Sequence, residues 1–436
     1  MKVKKFGGTS VESAERIKNV GRLISECKKD IIVLSAMSGT TNSLLEISSA
    51  LKNGEKKSAV ELIENLNNKY ADTISNLFKT EEYKEKATEA LDDIFKSLKE
   101  LSEKSYSLKL EKEIVAKGEL MSTCLMNLHM HEEGINSVLL PALDFMKIDM
   151  HGEPDDDFIR ENVAKLIDAH NDADLYITQG FICRNEEGDI DNLQRGGSDY
   201  TASIIGALSG AEEIEIWTDI DGMHNNDPRY VEGTLPVHNL HFEEAAELAY
   251  FGAKILHPTC ILPAREHNVP VRLLNTMEPT AEGTLIENKL QRGSIKAVAA
   301  KDNITAIKIK SGRMLLAYGF LKKVFEIFEK YETSIDMITT SEVGVSLTID
   351  NEKNLSKIED ELKALGTVTI DRDMVIICVV GDLEWTNKGF EAAALEALRN
   401  VPVRMISYGG SNYNISFLIK KEDKTKALRL LSYHLF

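Results

Sequence analysis

Val3-Lys4-Lys5-Phe6-Gly7-Gly8-Thr9-Ser10 carries the signal that decides the fold. Its first four residues read as a short strand, and Gly7-Gly8 turn the chain toward a helix. Thr9 and Glu12 have capping-box spacing, and Ile17, Val20 and Ile24 then mark one helix face. Ile31-Ile32-Val33-Leu34 follows as a buried strand by its β-branched content. Strand, helix, strand in that order predicts a parallel βαβ unit. The glycine pair lets backbone approach a ligand, and free N–H groups at a helix start favour an anion. Lys5 adds a point charge suited to phosphate. No G-x-x-x-x-G-K-[ST] occurs, so this is not the P-loop.

Outward from this unit, residues 43–131 are rich in Lys, Glu, Leu and Asn and lack proline, which predicts several helices inserted beside the sheet. Strands return at Ser137–Leu140, Leu175–Thr178, Ile214–Trp217 and Pro270–Leu273, with helices at Phe158–Asn171, Tyr200–Leu208 and Phe242–Tyr250. This α/β domain is expected to span 1–295. The region 296–436 holds an internal repeat: Gly319-Phe320 matches Gly389-Phe390, and Met337-Ile338 matches Met405-Ile406. Each copy reads as a ferredoxin-like βαββα unit, about 304–372 and about 373–436. The second copy lacks its last strand, which residues 294–300 can supply by folding back, interleaving the two modules.

Composition narrows the function. Among 436 residues, 52 basic and 70 acidic side chains leave a formal charge of -18. Such a surface repels phosphate backbones and anionic lipid, so neither nucleic acid nor a membrane is an expected partner. The start has no apolar stretch of signal-peptide length, and the longest apolar run, Met374–Val380, is too short for a membrane helix. The five scattered cysteines form no C-x-x-C pair. A cytoplasmic protein with reduced thiols and no metal site is expected.

Further constellations carry chemistry. Arg195-Gly196-Gly197-Ser198-Asp199 is a second glycine-rich helix entry; Arg195 offers a fork for a carboxylate, and Asp199 can orient Lys5. Ser35-Ala36-Met37-Ser38-Gly39-Thr40-Thr41 follows a strand, where open α/β sheets contact ligands. Trp217-Thr218-Asp219 and Asp227-Pro228-Arg229 place a carboxylate and a guanidinium after another strand, and Lys117-Gly118-Glu119 and Phe251-Gly252-Ala253-Lys254 set glycines beside charge. Taken singly, each is also what an ordinary turn or capped helix looks like. His129 and His131 alternate on a helix and make a poor metal pair. No G-x-S-x-G, H-E-x-x-H or G-x-G-x-x-G is present.

Together, Lys5–Ser10, Gly118-Glu119, Gly196–Asp199, Trp217-Thr218-Asp219 and Phe251–Pro258 resemble the aspartate kinase family, and the tail modules resemble tandem ACT domains of its monofunctional, lysine-sensitive type. The resemblance covers essentially the whole chain. It implies the amino-acid-kinase fold, with a mostly parallel sheet in three layers, and transfer of the ATP γ-phosphoryl to the β-carboxylate of L-aspartate. By the same resemblance Lys5 and Asp199 are catalytic, and Lys5, Phe6, Gly7, Gly8, Thr218, Asp219, His224, Arg229, Lys254 and Ile255 hold the nucleotide. His224 stands where the family often has tyrosine. Thr41, Glu119, Arg195 and Ser198 take aspartate. Met314, Ser334, Asp336, Ser341 and Glu342 take an effector, L-lysine, with Asp336 facing its extra ammonium. ATP arrives with Mg²⁺, for which no dedicated protein cage is visible. Sheet-edge pairing of tail modules implies a homodimer, or a tetramer. The alternatives are a kinase acting on glutamate or an acylated glutamate, and a non-catalytic amino-acid sensor. An acylated substrate has no ammonium for Glu119 to face.

Overall fold

The computed structural model describes residues 1–193, 196–252, 257–312 and 318–436. Arg195, Lys254, Ile255 and Met314 therefore lie outside the described residues. The chain divides into two compact units, one of residues 1–222 and 256–288, the other of 223–255 and 289–436.

In the first unit the strands run, in spatial order, Ser137–Leu140, Leu175–Gln179, Ile31–Leu34, Val3–Phe6, Ile214–Thr218, Val271–Asn275 and Thr284–Glu287. All pairings are parallel except the last. Val3–Phe6 sits centrally, with Phe6 opposite both Leu34 and Trp217. The chain moves to one side of this strand through Ile31–Leu34 and to the other through Ile214–Thr218. In open α/β sheets such a reversal marks the carboxyl end of the central strand, here Val3–Phe6, as the place where ligands bind.

The expected insertion is five helices among the described residues: Thr40–Lys52, Lys56–Leu77, Glu81–Ser102, Leu108–Val115 and Lys117–Glu132. Their apolar stripes form one core with the sheet, through Ile47, Leu66, Tyr70, Phe95, Leu98 and Leu125. One local expectation fails. Thr9 and Glu12 do not cap the first helix; Gly8–Val11 is a 3₁₀ turn, and Ser13 caps Ala14–Ile24 by accepting from Arg16 N–H. The reason is long-range: Ser10 is buried in a 2.7 Å hydrogen bond with Thr276. Helix limits also shift, to Asp156–Ala169 and Gly197–Leu208.

The second unit contains a six-stranded antiparallel sheet, ordered Ile338–Ser341, Gly344–Ile349, Ile295–Lys310, Thr367–Gly381, Asn414–Lys420 and Val403–Tyr408. Its two middle strands are long because each serves both modules. Ile295–Lys301 pairs with Ile376–Gly381 in the second module, and Ala306–Lys310 pairs with Thr367–Asp371 in the first. The fold-back of residues 294–300 is thus observed, but as one strand continuous with 304–310. Separate apolar clusters back the two halves, one around Val324, Leu347 and Ile358, the other around Val379, Phe417 and Leu428. The strand expected at Ser334–Thr339 begins only at Ile338. Residues 223–255 pack with this unit: Asn226 Nδ2 donates to the Leu428 carbonyl at 3.0 Å, and a Cβ at Gly252 would lie 2.2 Å from the Ala300 carbonyl oxygen.

Candidate active site

The strand's alternation sorts the three N-terminal lysines. Lys2 and Lys4 turn to one face, where Lys2 meets Glu213 and Glu215 at 2.9 and 2.8 Å and Lys4 lies 3.5 Å from Glu215. Lys5 turns to the other face and is 8% exposed. Its Nζ lies 2.6 Å from Asp199 Oδ1. Asp199 stands in the first turn of Gly197–Leu208, entered through Gly196 and Gly197 at φ 75° and 55°, backbone that side chains rarely adopt. A Cβ at Gly196 would be 1.9 Å from Cys260 Sγ. The Gly196-Gly197-Ser198-Asp199 stretch is therefore shaped to bring Asp199 onto Lys5.

Gly7 and Gly8 leave the central strand beside the Ser35–Gly39 loop. Ser38 N–H donates to the Gly8 carbonyl at 3.1 Å, and a Cβ at Gly8 would lie 2.9 Å from the Ala36 carbonyl oxygen. Ser35 Oγ donates to Ser198 Oγ at 2.9 Å, joining the two glycine-rich entries. Thr41 is half-buried in the first turn of Thr40–Lys52.

Glu119 reaches the same loop from the helix Lys117–Glu132. Gly118 permits this, since a Cβ there would meet Ala36 Cβ at 2.8 Å. Glu119 Oε1 accepts from Ala36 N–H at 3.2 Å, while Oε2 is buried with no hydrogen-bond partner among the described residues. Burial pushes its carboxyl up to about 8, with the Ala36 hydrogen bond opposing. Once ionised, a buried carboxyl group with one free oxygen can accept an ammonium group.

Thr218 and Asp219 close the neighbouring strand, Thr218 Oγ1 donating to Asp219 Oδ1 at 3.1 Å, and Phe6 stacks on Trp217 with centroids 5.7 Å apart. Lys5, Phe6, Gly7, Gly8, Thr41, Glu119, Ser198, Asp199, Thr218 and Asp219 thus all belong to the first unit. His224 and Arg229 belong to the second: His224 Nδ1 lies 2.8 Å from Thr234 Oγ1, and Arg229 is held by Asp227 at 2.6 Å. The effector candidates also sit there. Ser334, Ser341 and Glu342 are exposed. Asp336 is not: its Oδ1 meets Lys301 Nζ at 2.6 Å and accepts from Tyr250 Oη at 2.8 Å, and Lys301 also pairs with Asp350 at 2.9 Å.

Several site residues escaped the sequence reading. Gly180 gives Ser198 its space, a Cβ there falling 2.3 Å from Ser198 Cβ. Phe181 follows at φ 67°, its N–H bound by Thr201 Oγ1 at 2.9 Å. Lys69, from the helical insertion, donates to the Ser38 carbonyl at 2.8 Å. The signal available for Gly180 was its place directly after a strand; Lys69 sits in a lysine-rich helix and carries none.

The profile of the amino acid kinase family matches residues 1–275, and an ACT domain profile matches residues 377–435. Lysine-sensitive aspartokinase 3 of Escherichia coli strain K12 is 33% identical over 447 residues, covering 100% of this chain and 99% of that protein. The crystal structure of E. coli aspartokinase III with aspartate and ADP, in the R-state, superposes with a TM-score of 0.83 at 33% identity over 100% of both chains. The T-state structure with lysine and aspartate also gives 0.83 at 33% identity, over 100% of this chain and 99% of that one. With its parallel sheet, helical insertion and ACT region, the chain belongs to the amino acid kinase family and, within it, to the aspartokinases.

Proposed function

We propose that the chain transfers the γ-phosphoryl group of ATP, taken up as its Mg²⁺ complex, to the β-carboxylate of L-aspartate, giving 4-phospho-L-aspartate. The observation that carries this reading is Glu119: its Oε1 is held by Ala36 N–H in the loop that contacts the Gly7-Gly8 turn, while its buried Oε2 has no hydrogen-bond partner among the described residues. Aspartate presents an ammonium for Glu119, an α-carboxylate for Arg195, and a nucleophilic β-carboxylate already ionised at neutral pH. Thr41 and Ser198 add hydroxyls to the same substrate. Acceptor and donor are both anionic, so the reaction needs positive charge and positioning more than a general base. Lys5 meets the charge developing on the transferred group, and Gly7 and Gly8 let Phe6 and its neighbours approach the phosphates. Asp199 holds Lys5 in place at 2.6 Å. Thr218, Asp219, His224, Arg229, Lys254 and Ile255 are assigned to the nucleotide. In this reading residues 1–295 are the catalytic domain and 296–436 the regulatory region.

Lys5→Ala should lower kcat by ~10²–10³-fold, the usual worth of one such donor, with the fold intact. Steady-state kinetics over a panel of aspartate, glutamate and N-acetylglutamate tests the substrate; a preference for either glutamate compound overturns the assignment.

The reading extends to regulation. L-Lysine is the inhibitor, bound by Met314, Ser334, Asp336, Ser341 and Glu342, and the enzyme opens lysine, threonine and methionine synthesis in the cytoplasm as a homodimer. It rests on the lysine complex of the E. coli relative and on the carboxylate at Asp336. Inhibition requires lysine to bind an inactive arrangement better than the active one. Lysine titration of the wild-type rate, with threonine as comparison, is the direct measurement.

A further inference from the structure

We propose that His129, Glu132 and Glu133 bind a first-row divalent transition-metal ion of the Zn²⁺ class at the C-terminal end of the helix Lys117–Glu132. Positions i, i+3 and i+4 share a helix face, and one donor atom from each residue lies within 4.8 Å of the others. The donors are oriented in advance. His129 is 3% exposed, and its Nε2 edge packs against Gly21, where a Cβ would lie 2.9 Å away. Its Nδ1 is left buried with no hydrogen-bond partner among the described residues. Glu132 Oε1 is fixed by Lys79 N–H and Thr80 N–H, both at 2.9 Å, and by Thr80 Oγ1 at 3.0 Å. Its Oε2, like His129 Nδ1, is buried and unpartnered.

Buried polar atoms without partners are costly, and a cation between them removes that cost. Burial lowers the pKa of His129, favouring the neutral ring a metal requires. The helix's final carbonyls add favourable potential for a cation. One imidazole and two carboxylates suit Zn²⁺, Co²⁺ or Mn²⁺, whereas Mg²⁺ demands oxygen donors. Tetrahedral ligands at ~2.0–2.2 Å stand ~3.4 Å apart, so the donors, which lie within 4.8 Å of one another, must close in by up to about 1.4 Å. Glu133, on the surface, can do so. Two cations oppose the site: Lys79 Nζ holds Glu133 Oε1 at 2.6 Å, and Lys18 also faces His129. The ion ties the helix end to the turn at Phe78–Thr80, a structural role separate from catalysis.

The test is calorimetry and thermal unfolding of the full chain with Zn²⁺, and the visible spectrum with Co²⁺. One Zn²⁺ per chain with a rise in Tm is expected. Glu133→Gln should weaken binding at least ~10-fold, no less than loss of an outer partner costs. Lys79→Met, which removes a competing cation, should tighten it. Both positions are at the surface, so the variants fold. No binding below millimolar Zn²⁺, an adventitious ion whose affinity is the same in Glu133→Gln, or weaker binding in Lys79→Met would each overturn the proposal.

Discussion

Glu119 shows how one residue's surroundings set its chemistry. An ordinary glutamate titrates near 4.5, and burial moves this one to about 8. At neutral pH it is therefore largely protonated, and an ammonium substrate must find it ionised. The KM for aspartate should therefore fall as pH rises toward 8, by up to about tenfold per unit, and level off above. Glu119→Gln should raise that KM and flatten its pH profile while sparing the KM for ATP; a retained slope would place the titration elsewhere. The same shift acts on stability. Between 4.5 and about 8 the folded chain keeps a proton that the unfolded chain has released, so stability falls as pH rises through that window. Tm measured with and without aspartate from pH 6 to 9 should show the ligand offsetting more of this loss at the alkaline end. At this scale Lys5 and Glu119 were legible in sequence as candidates, Lys5 by the Gly7-Gly8 turn that follows Phe6 and Glu119 by Gly118 beside it. The partnership of Ser35 with Ser198, separated by 163 residues, was not.

Elements meet in this site through missing side chains. The helix Lys117–Glu132 approaches the Ser35–Gly39 loop only because Gly118 has no Cβ. Gly118→Ala puts a methyl group 2.8 Å from Ala36 Cβ, and overpacking of this kind costs ~1–3 kcal/mol. The helix must retreat, carrying Glu119 with it. The KM for aspartate should rise several-fold, with the KM for ATP nearly unchanged; an unaltered aspartate KM would show that Glu119 needs no such close approach. Most helices and strands were readable from the sequence, the insertion as several helices, but the strands Ile182–Arg184, Ile190–Asn192 and Thr284–Glu287 were not. The cap of the first helix was misread, since Thr9-Ser10-Val11-Glu12 satisfies a local rule that the buried Ser10–Thr276 contact overrides. Strand ends were misplaced where two strands merge, because Ile295–Lys310 contains a mid-strand polar stretch, Lys301-Asp302-Asn303, that reads as a break.

That polar stretch matters to the whole molecule, since Lys301 holds Asp336. Burial opposes charge on Lys301, but hydrogen bonds to Asp336 and Asp350 outweigh it and raise its pKa. The Lys301 ammonium also lies 4.3 Å from the centre of the Tyr250 ring. If Asp336 accepts the ammonium of free lysine, the chain's own lysine competes for the same carboxylate. Lys301→Met should then lower Tm without ligand by leaving Asp336 buried and unpaired, restore it on adding lysine, and tighten inhibition about tenfold, the worth of one charge-assisted hydrogen bond. Weaker inhibition would mean that Lys301 supports the effector site. The sequence alone determined the parallel βαβ core, the repeat in the tail and the residue types of the site, since apolar period and glycine placement are local properties of the chain. Only the tertiary structure decided which charges are already paired. It set Lys5 on Asp199, left one oxygen of Glu119 free, closed Asp336 with Lys301, and clustered residues 223–255 with the second unit. Those outcomes depend on burial and on contacts between residues distant in sequence, and neither is written in the spacing of neighbours.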